Sequence, residues 1–276
     1  MRAILSTELF KLFKQGKTWY AIGAVFLIEI IILASAYYQG EGILELLLDN
    51  LRQSFYFKGN LLNGNLLLYI VLNSLWFNVP LILMIVTSAL VTEEYKNGTM
   101  QTTLLQAIKK WQLILAKYLA ALIFTVLVIA LMVCTTFTAA YSIFGNGDLV
   151  VYLNTLNFFP AEVAFQRICM AFVSGTLSMV FYATVSLTLG IFIKEPAKTW
   201  IASAFFLILC SLLLKVNFGM GNYEHFLFPK LTNTWQHFFD YTLSWKEIVV
   251  DHLLLICYTI IFGGLGVYQF NKKDIE

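Results

Sequence analysis

The sequence predicts an all-α, polytopic membrane protein that crosses the bilayer six times. Hydrophobic residues make up 59% of the 276 residues and charged residues only 12%, about half the charged fraction of an ordinary soluble domain. The apolar residues fall into six runs that are long enough, or nearly so, to cross about 30 Å of hydrocarbon. These runs are uniformly apolar rather than alternating, which excludes a transmembrane β-barrel. We therefore treat residues 1–276 as a single membrane domain.

The six predicted spans are Trp19–Tyr38, Leu66–Val91, Leu113–Phe144, Ile168–Ile193, Thr199–Leu214 and Ile248–Phe270. The fifth is short, because only 16 residues separate Lys198 from Lys215. At 1.5 Å per residue it covers about 24 Å. Lysine side chains that extend toward the interface at both ends would make up the difference.

The first span also resembles a signal peptide, because a basic stretch and an apolar run precede Ala34-Ser35-Ala36. The apolar run is longer than the core of a typical signal peptide, and Glu29 interrupts it. Further spans follow it. We therefore expect the first span to be retained.

Lysine and arginine residues predict the orientation. With six spans, both termini lie on the same side of the membrane. That side carries twelve of the 18 lysines and arginines, and basic residues concentrate on the cytoplasmic side of membrane proteins. We predict that both termini are cytoplasmic and that the membrane is the bacterial plasma membrane.

Residues 1–18 are predicted to form an amphipathic helix in the cytoplasmic interface. Its apolar side chains recur at helical spacing, at Leu5, Leu9, Leu12 and Phe13. Its polar side chains are expected to face elsewhere, at Glu8, Lys11, Lys14 and Gln15. The alternative that stays open is a polar extension of the first span.

The connections on the outer side are longer, at residues 39–65, 145–167 and 215–247. The last of them is unusually aromatic and contains Pro229, Trp235, Phe238 and Phe239. Irregular backbone can lie at membrane depth if other parts of the protein bury it. We predict that residues 215–247 include a re-entrant segment.

The most distinctive cytoplasmic segment is residues 92–112. The second span ends in the paired carboxylates Glu93 and Glu94, and a turn follows at Asn97-Gly98. Thr99 is expected to N-cap a short amphipathic helix. The apolar side of this helix would hold Leu104, Leu105 and Ile108. Its C-terminal end would carry Lys109 and Lys110, because the helix dipole favours cations there. An ordinary charged loop is the alternative.

This segment resembles the signature of type-2 ABC transporter permeases. In that family an acidic residue at the end of the second span is followed by Gly-Thr, a Leu-Leu pair, a Pro-x-x-Arg-like step and a third span with a lysine. The matching residues here are Glu93 or Glu94, Gly98, Thr99, Leu104, Leu105 and Lys117. The chain departs from the family at the Pro-x-x-Arg step, where Ala107 and Lys110 stand, although Lys110 keeps the positive charge. The N-terminal helix and the six spans agree with the family over the whole length.

The resemblance implies the permease subunit of an ABC exporter that works by alternating access. Its partners would be cytoplasmic ABC ATPase subunits, a second copy or a homologous permease, and membrane lipids. ATP and Mg²⁺ would bind to the ATPase subunits, so we expect no cofactor on this chain. The residues that would couple it to the ATPase are Glu93, Glu94, Asn97, Gly98, Thr99, Leu104, Leu105 and Lys110. The apolar spans favour a lipophilic or amphipathic substrate such as a drug, a peptide or a lipid.

Three polar residues inside the spans are candidates for a substrate pathway. Glu29 lies near the middle of the first span, where a charge costs roughly 2.5–3.5 kcal/mol on insertion scales. It either pairs with a cationic substrate or is an acid hydrogen-bonded between helices. Asn73 and Asn78 in the second span, close to Pro80, indicate an interhelical contact or a kink more than a substrate site.

Two other classes of function stay open. The pair Glu93-Glu94 is similar to the glutamates of membrane-embedded CAAX-type proteases, which would make the chain an intramembrane enzyme. However, Gly98 stands where those enzymes carry an arginine, and His225 and His237 lie in an outer connection. We therefore predict no enzyme and no catalytic residue. The other class is a non-transporting scaffold or immunity subunit of a membrane complex.

Composition argues against several kinds of site. The net charge of +2 is too small to indicate a nucleic-acid partner. The three histidines are scattered and form no metal-binding pattern. All cysteines fall within apolar runs without a pairing pattern, at Cys134, Cys169, Cys210 and Cys257. We predict free buried thiols and no metal site.

Overall fold

The structure is a computed structural model that describes residues 1–52, 62–105, 108–153, 156–216 and 226–272; of residues 41–52 it describes the backbone alone. Its elements, in chain order, are α1 (Arg2–Lys14), α2 (Gly16–Arg52), α3 (Gly64–Lys96), α4 (Thr99–Leu104), α5 (Lys110–Phe144), β1 (Leu149–Tyr152), β2 (Leu156–Phe159), α6 (Ala161–Ile193), α7 (Pro196–Lys215), α8 (Phe228–Leu231), a 3₁₀ helix (Thr234–Phe239) and α9 (Trp245–Lys272).

Six helices are long and apolar enough to cross a membrane, and they confirm the six predicted spans. These candidate spans are the part of α2 from Gly16 to Gly40 and the whole of α3, α5, α6, α7 and α9. Most extend a few residues beyond the apolar runs, because charged and polar residues continue the helix past the hydrocarbon. The protein is therefore a helical, multi-pass membrane protein.

The fifth span is not short. Helix α7 has 20 residues, which cover about 30 Å at 1.5 Å per residue. It begins at Pro196, a residue favoured in the first turn because it needs no hydrogen bond from its nitrogen. Lys198 therefore lies within the first turn of the helix and does not precede it.

The first span changes direction near its C-terminal end. Gln39 has a non-helical backbone (φ −127°, ψ 23°), and a helix then continues to Arg52. Part of the predicted connection 39–65 is thus helical, and residues 53–61 of it lie outside the described residues.

Helices α3 and α6 form the centre of the bundle. They pack against each other, and α5 and α7 each contact both of them. Half or more of the apolar stretch of α3 and of α6 is buried inside the protein, compared with less than a third in α2, α7 and α9. The peripheral helices therefore present most of their apolar surface to the outside of the bundle.

A glycine of α6 makes room for a tryptophan of α3 in this centre. The rings of Trp76 on α3 and Trp235 in the 3₁₀ helix lie 4.7 Å apart. A Cβ atom built on Gly175 of α6 would lie 1.8 Å from the Cη2 atom of Trp76. Only a residue without a side chain lets α6 approach this tryptophan, as small residues do between spans.

A short β-hairpin departs from the all-α prediction. Strands β1 and β2 pair antiparallel, with Leu149 opposite Phe159 and Tyr152 opposite Leu156. Leu149 and Phe159 are buried and Tyr152 is exposed, so one side of the hairpin packs on the helices. The predicted connection 145–167 is also shorter than expected, because α6 already begins at Ala161.

The described part of the 215–247 connection folds back against α6. Ser178 donates to the Thr232 carbonyl oxygen at 2.9 Å, and the Tyr182 and Thr232 hydroxyls lie 3.1 Å apart. Side chains of Pro229 and Trp235 are buried. Other helices therefore supply hydrogen-bond partners to this irregular backbone.

Arg167 of α6 joins the hairpin to this connection. Its guanidinium donates to the carbonyl oxygens of Phe238 (3.1 Å), Asp240 and Tyr241 (3.2 Å). It also lies 4.3 Å from the centre of the Phe159 ring. One partly buried cation thus joins the hairpin to residues 238–241 of this connection.

We predict that Gly175→Ala lowers stability, because its new methyl group would overlap Trp76. Overpacking of this kind typically costs about 1–3 kcal/mol. Thermal unfolding of the purified protein in detergent measures the change. The matched control is Gly264→Ala on α9, where a Cβ meets nothing within 4 Å; it should be neutral or slightly stabilising, because alanine is the better helix former. Equal unfolding temperatures for the two variants would contradict the packing role of Gly175.

Candidate functional site

The connection between α1 and α2 has a fixed geometry. Gln15 is extended (φ −79°, ψ 129°) and separates the two helices. The Thr18 hydroxyl donates to the Leu12 carbonyl at 2.6 Å, and the Trp19 indole donates to the Phe13 carbonyl at 2.9 Å. Two side chains at the start of α2 therefore donate hydrogen bonds to carbonyls in the last turn of α1. Carbonyls in that position have no partner within their own helix.

The apolar side of α1 faces the protein. Leu12 is fully buried, and the Phe13 ring packs edge-on against Phe124 of α5 with centroids 6.3 Å apart. Leu5 and Leu9 also pack against the core. The apolar positions of the predicted amphipathic helix thus contact other helices. The expectation that Glu8 points away from this side was wrong, because Glu8 is only 2% exposed.

Glu8 is buried because it binds Lys117, a fully buried lysine of α5. The ammonium nitrogen of Lys117 lies 2.7 Å from Glu8 Oε2 and 2.9 Å from Glu94 Oε2. It also donates to the Leu90 carbonyl oxygen of α3 at 2.8 Å. One cation therefore has three oxygen partners from α1 and α3, which is what a buried charge needs to offset its desolvation.

Lys11 completes a ring of alternating charges. Its ammonium nitrogen lies 3.0 Å from Glu8 Oε1 and 2.9 Å from Glu94 Oε1. We call Glu8, Lys11, Glu94 and Lys117 the charge cluster; its formal charge is zero. Partial burial lowers the pKa of Lys11, but its contacts with Glu94 and Glu8 more than compensate, so the pKa lies above the usual value. Lys11 therefore stays charged throughout the physiological range.

The neighbouring glutamate connects α3 to α2. Glu93 Oε1 lies 2.6 Å from the ammonium nitrogen of Lys17 in the first turn of α2, and both side chains are partly exposed. Consecutive carboxylates at the end of α3 thus bind the helices on either side of the α1–α2 connection. The sequence prediction singled out this pair but named no partner for either residue.

The turn after α3 departs from the predicted cap. Asn97 ends α3 and donates its backbone N–H to the Glu93 carbonyl at 2.9 Å. Gly98 then adopts the left-handed conformation (φ 69°, ψ 3°) in the N-cap position of α4. Thr99 is the first helical residue, and its hydroxyl points back to the Glu94 carbonyl at 3.5 Å. The prediction that Thr99 caps the helix was wrong; glycine supplies the turn, because φ > 0 is strained for other residues.

Helix α4 is also shorter than predicted. It ends at Leu104, which is partly buried against the core, while the following Leu105 is 87% exposed. Lys109 is the N-cap of α5 and Lys110 is its first residue, so these lysines do not close α4 as predicted. Ala107, at the Pro-x-x-Arg step, lies outside the described residues.

Glu29 connects α2 to α5 in the middle of the bundle. It is 2% exposed and accepts hydrogen bonds from Thr136 (2.8 Å) and Thr135 (3.0 Å). Glu29 is thus hydrogen-bonded between two helices, which is the second of the two alternatives that the sequence left open for it. The threonines gave no signal in the sequence, because threonine is common in spans.

Asn73 and Asn78 are not brought together with Glu29. Each amide donates to a carbonyl four residues back along α3, Asn73 to Tyr69 at 2.9 Å and Asn78 to Ser74 at 3.1 Å. Neither makes an interhelical hydrogen bond to any residue that the structure describes. Asn73 is exposed on α3.

The described histidines lie apart from the paired glutamates. His252 of α9 has Nε2 2.8 Å from the Ser174 hydroxyl of α6, and His237 has Nδ1 3.0 Å from Asp240 Oδ2. His225 lies outside the described residues. Across the ranges described here, no three His, Cys, Asp or Glu side chains form a group that could hold a metal ion.

We predict that Lys117→Met lowers the free energy of unfolding by about 3–5 kcal/mol, because it leaves two buried carboxylates with only Lys11 to share between them. Thermal or denaturant unfolding in detergent measures this loss. The matched control is Lys198→Met, which removes an exposed pair with Glu195 and should cost at most about 1 kcal/mol. A Lys117→Met protein as stable as the Lys198→Met protein would show that the charge cluster contributes nothing to stability.

We predict that Thr136→Val lowers stability by about 1–3 kcal/mol, because Glu29 loses a hydrogen bond in a buried position. The control is Thr125→Val on the same helix. The Thr125 hydroxyl is buried with no hydrogen-bond partner among the described residues, so its removal should be neutral or stabilising. Unfolding temperatures in the reverse order would contradict the assigned role of Thr136.

Comparison with known proteins gives a family but no activity. No curated protein matches the chain. A family model described as "Protein of unknown function (DUF2705)" matches residues 26–276. The matched region begins within α2 and includes Glu29, the paired glutamates of α3 and Lys117. Because the match covers most of the chain, the protein belongs to the DUF2705 family.

Proposed function

We propose that this chain is the membrane permease subunit of an ATP-driven ABC exporter. The observation that carries the proposal is the charge cluster beside α4. A short helix with an exposed leucine follows α3 directly, and the end of α3 is bonded to α1, α2 and α5. A partner that displaces α4 would therefore act on several spans at once, as the resemblance to type-2 permeases requires.

The proposed topology has both termini in the cytoplasm of a bacterial cell. Exposed aromatic pairs at the two ends of the first span support a transmembrane placement, Trp19 and Tyr20 at one end and Tyr37 and Tyr38 at the other. They are separated by 18 residues, or about 27 Å of helix, which is close to the hydrocarbon thickness of about 30 Å. Tyrosine and tryptophan are enriched at both membrane interfaces. Helix α1 would then lie at the cytoplasmic interface.

The proposed re-entrant segment is the described part of residues 215–247. Ser178, which binds the Thr232 carbonyl, lies 17 residues from the start of α6. This corresponds to about 25 Å along the helix axis, well below its outer end. The contacts of Ser178, Tyr182 and Arg167 with this segment supply the partners that non-helical backbone needs at membrane depth.

The proposed mechanism transmits a cytoplasmic displacement through paired charges. Cytoplasmic ABC ATPase subunits, which would hold ATP and Mg²⁺, contact α4 around Leu105 and change its position when they close. Glu94 passes the displacement to α1 and α5 through Lys11 and Lys117, and Glu93 passes it to α2 through Lys17. Separation of a buried pair costs several kcal/mol, so these helix ends move together. The closure can drive transport only if the two conformations differ in affinity for nucleotide or substrate.

The proposed substrate is lipophilic or amphipathic. Two apolar grooves of about 570 and 540 Å³ open on the outside of the bundle, one between α6 and α9 and one where α5, α6 and α9 meet. Asn73, exposed on α3, remains a candidate for the pathway, which a second copy or a homologous permease would complete. Glu29 already has two partners, so we assign it to the α2–α5 contact.

We predict that Leu105→Glu weakens capture of the ATPase at least tenfold. A tagged chain is purified from its native membrane in detergent, and the co-purifying ATPase activity is measured. Leu105 packs against little of this protein, so the variant should keep the unfolding temperature of the wild type. Tyr152→Glu is the matched control, because Tyr152 is exposed at the opposite end of the bundle.

The wild type and Tyr152→Glu should both bring down an ATPase, and Leu105→Glu should not. If the wild type comes down without nucleotide hydrolysis, the exporter proposal fails, and a scaffold or immunity role takes its place. If Leu105→Glu captures as much ATPase as the wild type, the contact through α4 is wrong.

A further inference from the structure

The outward side of α1 carries a second recognition surface. Arg2, Ser6, Phe10 and Lys14 are spaced by four residues, which places them on one side of the helix. Phe10 is 66% exposed, and the Lys14 ammonium lies 5.6 Å from the centre of its ring. This side lies opposite the leucines that pack against the core.

The charge cluster leaves this side positively charged. Glu8, which is the acidic residue of α1, is buried against Lys117, and Lys11 is paired with both glutamates of the cluster. Arg2 and Lys14 have no ion-pair partner in the part of the chain that the structure describes. The exposed charge of α1 is therefore cationic, although the helix contains an acid.

Exposed aromatic residues continue the surface beyond the α1–α2 connection. Trp19 is 61% exposed and Tyr20 is 82% exposed. The indole nitrogen of Trp19 is bonded to the Phe13 carbonyl, so this ring keeps a fixed position relative to α1. Aromatic rings beside unpaired cations are typical of a surface that lies among lipid headgroups.

We propose that this surface, formed by Arg2, Phe10, Lys14, Trp19 and Tyr20, binds the headgroups of anionic phospholipids. The phosphate groups pair with Arg2 and Lys14, and the aromatic rings enter the boundary between headgroups and acyl chains. A basic residue close to an anionic membrane surface strengthens binding about fivefold. The placement of the surface in the cytoplasmic leaflet rests on the proposed topology.

The bound lipid has a consequence for coupling. Lys11 lies between Phe10 and Leu12 in the chain and pairs with Glu94 at the end of α3. A headgroup that holds Lys14 and Arg2 therefore also restrains the helix that the charge cluster connects to α3 and α5. The lipid composition of the membrane would set how freely the α3–α4 turn moves.

Native mass spectrometry of the purified chain tests the proposal. The protein is released from mixed micelles that contain equal amounts of phosphatidylglycerol and phosphatidylcholine, and the ratio of the two retained lipids is measured. The wild type should be enriched in phosphatidylglycerol. The double variant Arg2→Gln/Lys14→Gln should lose this enrichment at least fivefold. Lys246→Gln, which removes an exposed lysine at the opposite end of the bundle, should keep it.

The contradicting outcomes are distinct. A wild type without preference for phosphatidylglycerol, or a double variant that keeps the preference, overturns the proposal. If the double variant loses the ATPase in the pull-down but keeps its lipid preference, this side of α1 binds a protein instead, which also overturns it. The lipid measurement needs no ATPase, so a failure of the exporter proposal leaves this test intact. Unfolding temperatures confirm that the variants are folded.

Discussion

The ammonium group of Lys117 is the contact on which one end of this bundle depends. It is completely buried, and its three oxygen partners come from α1 and α3. An unpaired charge in such a position would cost several kcal/mol, and Glu8 and Glu94 supply the compensating negative charge. The position of α1, the end of α3 and the start of α5 are therefore determined together.

The opposite end is organised by different forces. There, packing of Trp235 on Trp76, which the missing side chain of Gly175 allows, places the 3₁₀ helix against α3 and α6. Arg167 and Ser178 then donate to backbone carbonyls of the same connection. Hydrogen bonds to backbone carbonyls and dispersion are short-ranged and depend on close fit. This end is thus specified by shape, and the end with Lys117 by the pairing of charges.

This difference bears on the exporter proposal, under which the protein changes shape. The charge cluster is neutral as a whole and its partners come from separate helices, so it can be displaced as a unit while its internal pairs persist. Glu29, with Thr135 and Thr136, connects α2 to α5 midway between the two ends. If α1 and the end of α3 are displaced, the hydrogen bonds of Glu29 would therefore keep the first span (α2) and the third span (α5) connected.

The six spans and their order were determined by the sequence alone, because the length and polarity of a span are local properties that the bilayer imposes. The aromatic connection at residues 215–247 and the position of Glu93 and Glu94 at the end of α3 were also readable. The tertiary structure decided the partners. Glu8 and Lys117 are 109 residues apart, and Lys11 and Glu94 are 83 apart, so neither pair leaves a pattern in the chain. Tertiary packing also decided three local features. These are the side of α1 that faces the protein, the end of α4 before Leu105, and the β-hairpin. Each depends on which surface a neighbouring helix offers, and that is fixed only when the helices pack.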